Sequence, residues 1–289
     1  MKIHLPEIHS NYDGFSRLIQ LAHQTDGSFL DDIEIDMSQA VWIDANMCAP
    51  LGAILYKVGR DINTIRLTNV PANVEAILSK NGFLCNYGWS RKKDFYGSTI
   101  EYKRFEPKDD RYFADYIEKQ MVGKGIPEMS LGLLKKFRES IYEIFSNSVL
   151  HSQTKLGIFS CGQYFHKKHR LDFSIADLGI GIYTNIREHR GLNLSAEDAI
   201  SWALEGKNTT KSGPIPGGLG LKLLREFIVK NEGRIQIVSD KGYWELSEGM
   251  VRTRAFSEPF PGTIVNIEIN TADAKSYRLV SEIRSEDIF

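Results

Sequence analysis

What constrains this chain most is the order of three short segments. "EIFSN" at 143–147 sets Glu143 and Asn147 four apart. "DLGIGI" at 177–182 ends an apolar, strand-like run with a carboxylate, Asp177, and two glycines, Gly179 and Gly181. "PGGLGL" at 216–221 opens a helical stretch with Gly217, Gly218 and Gly220. On a helix, positions four apart share a face, so Glu143, Asn147 and His151 line up on a segment otherwise carrying Ile141, Ile144, Phe145, Val149 and Leu150. A carboxylate at a strand end can accept a hydrogen bond from an amine, and glycine beside it lets a flat ring approach closely. Backbone N–H groups at a helix start are unsatisfied, and the helix dipole there favours an anion. The preceding loop holds Lys207, Thr209, Thr210 and Lys211, which could close over phosphates. Each segment alone has a plainer reading: a solvated stripe, a tight turn, a loop tip. The dinucleotide fingerprint is excluded, because its third glycine and βαβ setting are missing.

Periodicity orders the rest. Residues 12–23 read as a helix, 32–38 as a strand with 40–44 continuing in extended style, 47–61 as a helix and 64–70 as a strand. Pro71 opens a helix that Asn81-Gly82 punctuates. The stretch 86–110 is polar and aromatic and reads as a connector. Helices are expected at 111–122 and 130–151, the second capped by Ser130. Strands are expected at 155–162, 171–177, 234–239, 250–256 and 262–269, with a helix at 219–231. The resulting class is α/β followed by α+β. The divisions are 1–90, a linker at 91–111, a second domain at 112–272 and a tail at 273–289.

The net charge of −1 gives no global field for nucleic acid or an anionic membrane. "HKKHR" at 166–170 reads as a solvated hairpin turn between strands rather than a nucleic-acid contact. Cys48, Cys85 and Cys161 are scattered, with no metal-ligand spacing, and read as thiols of a reducing cytoplasm. No apolar run is long enough to span a bilayer. The expectation is a cytoplasmic protein without a membrane partner.

Taken in order, the three segments resemble the N, G1 and G2 boxes of the GHKL ATP-binding superfamily, whose (Bergerat) fold is an α/β sandwich. The resemblance covers roughly 112–270 and implies Mg²⁺ and ATP as cofactors. It implies that Asn147 coordinates Mg²⁺ and that Glu143 activates water, or a hydroxyl in the serine kinases of this fold. Asp177 would bind adenine over Gly179 and Gly181. Lys207, Thr209, Lys211, Gly217, Gly218, Leu219 and Gly220 would serve the phosphates. Thr263, in "PGT", resembles the family's late threonine near adenine. A Glu-x-x-x-Asn-x-x-x-His helix is similar to that of the anti-sigma-factor kinases; the alternative for His151 is a helix-end histidine favoured by the dipole.

"IEIDMSQAVWIDANMCAPLGAILYKV" and "TIRLTNVPANVEAILSKNGF" resemble a STAS domain, the fold of anti-sigma-factor antagonists. Where phosphorylated members carry a serine after the aspartate, Ala45 and Asn46 follow Asp44. Neither has a hydroxyl, so the resemblance implies a docking or regulatory module. The partners implied are ATP and a protein, STAS-type or other, with nucleic acid disfavoured and a homodimer left open. An ATPase switch, a serine/threonine kinase and a non-catalytic nucleotide sensor all remain open.

Overall fold

A computed structural model describes residues 1–205 and 219–282. In its first part β1 (Lys2–His4), α1 (Tyr12–Gln24), β2 (Asp32–Asp36), α2 (Cys48–Arg60), β3 (Thr64–Thr68) and α3 (Ala72–Lys80) follow one another. The three strands form a parallel sheet in the order β1-β2-β3. Parallel neighbours need a crossover, and α1 and α2 supply the two required. In the second part come β4 (Thr99–Phe105), α4 (Asp110–Met121), α5 (Leu131–His151), β5 (Ile158–Phe165), β6 (Arg170–Asp177), α6 (Gly181–Arg190), α7 (Ala196–Leu204), α8 (Leu219–Asn231), β7 (Arg234–Ser247) and β8 (Met250–Asn270). The strands make a five-stranded antiparallel sheet in the order β4-β5-β6-β8-β7. A parallel α/β layer is thus followed by an α+β layer pair.

The larger sheet is buried on both faces, and the period of two along its strands sorts the residues. Ile158, Leu171, Phe173, Ile175, Ile235, Ile237, Ile267 and Ile269 face α4, α5 and α8, whose Phe113, Phe137, Phe145 and Phe227 complete that core. The alternate residues Phe159, Cys161, Ala176, Val238 and Ile264 share a core with α1, α2 and the smaller sheet. The order of layers is therefore small sheet, α1 and α2, large sheet, then α4, α5 and α8, with α3 adding Val74 and Leu78 to the core between the sheets. This explains the composition of α2, which is buried continuously from Cys48 to Leu55. A helix apolar all round belongs between two layers. The far face of the small sheet meets solvent with a charged ladder: Lys2 pairs with Glu34 and Asp36, and Arg66 with Asp32.

The face turned toward α1 and α2 is graded along the strands. Register sets Phe159, Ala176, Ile264 and Val238 side by side, then Cys161, Ser174, Asn266 and Gln236, then Gln163, Asp172, Glu268 and Arg234. The first row is apolar, the second neutral and polar, the third mostly charged. Asn46, fully buried, reaches the second row: its Nδ2 lies 3.1 Å from Ser174 Oγ and 2.9 Å from Asn266 Oδ1. The Ala45 amide donates to Gln163 Oε1 at 3.0 Å. Arg170 bridges Asp44 at 3.5 Å and Asp172 at 3.1 Å. Burial pushes the Asp172 carboxyl well up, against the pull of Arg170.

Four segments differ from the sequence reading, one of them β7, expected to end at 239 and running to Ser247. Residues 99–105, read as part of a connector, form β4 at the edge of the large sheet. Their alternation is masked by Glu101, Lys103 and Arg104, which an edge strand tolerates because one of its sides meets water. The N-terminal β1 went unread because three residues are too few for a period to show. The strands expected at 250–256 and 262–269 are one, β8, which interrupts its pairing with β7 between Ala255 and Phe260.

Candidate functional site

Ser130 caps α5, its hydroxyl accepting from the Leu133 amide. The helix then runs 21 residues, with Leu133, Phe137, Ile141, Ile144 and Phe145 buried in the core. Glu143, Asn147 and His151 are half-buried on its C-terminal half. At 1.5 Å per residue, Glu143 and Asn147 stand about 6 Å apart along the axis.

β6 delivers Asp177 to the same end of the sheet. The residue is 1% exposed, and its Oδ1 has no hydrogen-bond partner among the described residues. Burial pushes the carboxyl up to about 7, against hydrogen bonds from Ser148, the Gly179 amide and Ser152. Ser148 and Ser152 belong to the end of α5, so Asp177 meets the turn of helix that follows Asn147. The sequence reading did not single out these serines. Their signal was a second four-residue spacing, 148 and 152, one step round the helix from Asn147 and His151.

The glycine turn after Asp177 is shaped by close backbone approach. A Cβ on Gly179 would lie 2.1 Å from the Ser152 carbonyl oxygen, and the Ile180 amide donates to that oxygen at 2.8 Å. Gly262, at φ +151°, lies where a Cβ would come within 2.0 Å of the Asp177 carbonyl oxygen. Thr263 pairs with Asp177 across β8 and β6. Its hydroxyl is 3.0 Å from Ser239 Oγ, which accepts from the Ile182 amide at 2.9 Å. Gly181 opens α6, and Asn185 on that helix donates to the His151 carbonyl at 3.2 Å. Asp177, Gly179, Gly181 and Thr263 are thereby gathered around the end of α5.

The start of α8 belongs to the same end. Lys230, near the end of α8, accepts from the Tyr277 hydroxyl, and Tyr277 bridges to Met129, just before α5. The two helices are therefore antiparallel, packed through Phe137 and Phe227 at 5.3 Å. Leu219 and Gly220 begin α8, whose antiparallel course starts toward the half of α5 that carries Glu143 and Asn147. Lys207, Thr209, Lys211, Gly217 and Gly218 fall outside the described residues.

Chemically, the arrangement offers a buried carboxylate oxygen with no donor among the described residues, a helix N-terminus, and an amide and a carboxylate on a neighbouring helix face. The side-chain amide of Asn147 is an oxygen donor suited to a hard cation that phosphates also ligate. Among the described residues no group of three His, Cys, Asp or Glu side chains could hold a metal ion by itself. No helix among them is long and apolar enough to cross a membrane.

No protein-family model and no curated protein matches the chain. Among solved structures it is similar to the histidine kinase domain from Erythrobacter litoralis EL346 blue-light activated histidine kinase, at 11% identity and a TM-score of 0.26. That likeness covers 90% of this chain and 94% of the other. At such a score it carries no argument about activity, and the functional reading rests on the residues.

Proposed function

We propose that the chain is a cytoplasmic Mg·ATP-binding regulatory protein of the GHKL, histidine-kinase-like ATPase type, which hydrolyses ATP or uses it as a switch to control a partner protein. The observation that supports this most is the buried Oδ1 of Asp177 at a strand end, which has no hydrogen-bond partner among the described residues. Ser148, Ser152 and the Gly179 amide hold the carboxyl in place, and an adenine amine would satisfy the remaining oxygen with one hydrogen bond. Asn147 would hold Mg²⁺, which when bound neutralises phosphate charge. Glu143 would take a proton from the attacking water or hydroxyl. The α8 start and the loop before it, Lys207 to Gly218, would receive the phosphates.

The N-terminal layer, STAS-like in its sequence, holds Ala45 and Asn46 fully buried against the large sheet. These two positions therefore offer no phosphoryl acceptor, and in the serine/threonine-kinase reading the acceptor would be a STAS protein carrying the serine absent here.

The test is incubation with γ-labelled ATP and cell lysate, separating free phosphate from labelled protein. Asn147→Ala should abolish Mg·ATP binding, whereas Glu143→Ala should bind and not turn over. Unchanged calorimetric affinity in Asn147→Ala would overturn the site. A wild type that neither releases nor transfers phosphate is a nucleotide sensor.

A further inference from the structure

The turn "HKKHR" lies at the end of the large sheet opposite Asp177, seven residues along β6, or about 23 Å away. The structure brings a second basic and aromatic segment to it. His166 Nε2 is 3.1 Å from the Tyr96 carbonyl oxygen, which only accepts, so Nε2 carries the proton. The His166 ring also lies against Tyr164, with centroids 4.0 Å apart. Lys168 Nζ stands 5.1 Å from the centre of the Trp42 ring, and Lys93 Nζ 4.8 Å from that of Phe95. A continuous strip results: Phe95, Tyr96, His166, Lys167, Lys168 and Trp42, drawn from three distant parts of the chain.

Two properties of the strip point to one ligand chemistry. Phe95 is 76% and Tyr96 78% exposed, adjacent in sequence and with their rings in solvent. The nearby cations divide into committed and available ones. Arg91 pairs with Glu101 and Lys92 with Glu75, while Lys93, Lys167 and Lys168 have no carboxylate partner among the described residues. Exposed aromatic rings beside lysines that no carboxylate neutralises match bases that stack and phosphates that need neutralising, the Lys93 and Lys168 ammonium groups lying over Phe95 and Trp42 within reach of both. The near-zero net charge of the whole chain concealed this, because the positive charge is local and assembled only by folding.

We infer that this strip binds single-stranded nucleic acid, with Phe95 and Tyr96 stacking on bases and Lys93, Lys167 and Lys168 contacting phosphates. The site is separate from the proposed nucleotide site and does not depend on it.

The test is fluorescence anisotropy of labelled 15-nucleotide oligo(dT) and oligo(U) with the full chain, across a salt series. Binding of either strand type supports the site, and the ratio of the two affinities assigns DNA or RNA. Three lysine contacts predict that log K falls with log salt at a slope of about −2. Phe95→Ala with Tyr96→Ala should weaken binding by about tenfold or more and leave that slope unchanged. Lys167→Ala with Lys168→Ala should flatten the slope by about 1.4. All four side chains lie on the surface, and an unchanged circular dichroism spectrum shows that each variant folds. The inference is overturned by absence of binding at low salt, by affinity that the aromatic variant leaves intact, or by tighter binding of oligoglutamate, which would mark an acidic protein partner instead.

Discussion

Asp177 is a carboxylate that the folded chain holds at a cost. An unfolded aspartate ionises near 3.8, whereas burial pushes this one to about 7. Between those values the native state keeps a proton that the unfolded state has lost. Its contribution to stability is therefore complete below about pH 3.8 and is lost as pH rises toward 7. The gap corresponds to on the order of 4 kcal/mol. Asp177→Asn, which cannot ionise, should make the ligand-free protein more stable than wild type by about 2–4 kcal/mol near pH 8 and by almost nothing near pH 3. Urea denaturation at the two pH values checks this, and a variant that is destabilised at both would refute it. A second outcome follows if the ionised carboxylate accepts a hydrogen bond from adenine. Binding Mg·ATP at pH 7 should release a fraction of a proton, read by calorimetry in buffers of different ionisation enthalpy. Asp177→Asn should neither bind nor release one.

At the scale of elements, α5, α8 and the turn after β6 were legible because their signals are local. Ser130 caps, Phe137 and Ile141 repeat at helical spacing, and glycines mark a turn whose tightness only glycine allows. The N-cap at Ser130 and both ends of α5 fall within a residue of the sequence reading. What was not legible depends on residues far apart in the chain. Asn46 read as a missing phosphoacceptor, and in the fold it joins Ser10, Ser174 and Asn266 across two layers. The serines that hold Asp177 were visible as letters, but only contact with β6 gives them a purpose. The side-chain amide of Asn46 is fully buried, so removing it leaves at least one of these partners unpaired. Asn46→Ala should lower the free energy of unfolding by about 2–4 kcal/mol. The denaturant midpoint should move and the slope should not. A shift below about 0.5 kcal/mol would mean that water replaces the amide and that the layers are held by apolar contact alone.

For the whole molecule, the decisive feature is that α2 has no solvent face along Cys48–Leu55. One side packs on the small sheet and the other on Phe159, Ala176 and Ile264 of the large one. Withdrawing the N-terminal layer would expose that apolar row together with the buried pairs of Arg170, Asp44 and Asp172. Neither layer can then shed the other without losing half of a shared core. A chain of this length with two independent domains would melt in two steps. Here the calorimetric enthalpy should equal the van't Hoff enthalpy in a single transition, and Asn46→Ala should shift that transition as a whole. Two resolved transitions, with the substitution moving only the one that contains β1 to β3, would show that the layers fold separately and that their contact is a docking equilibrium. A single transition has a consequence for signalling. A partner that influences the Asp177 site through the N-terminal layer must then act by deforming one body, through Leu178 and the helix ends beside it, rather than by detaching a domain.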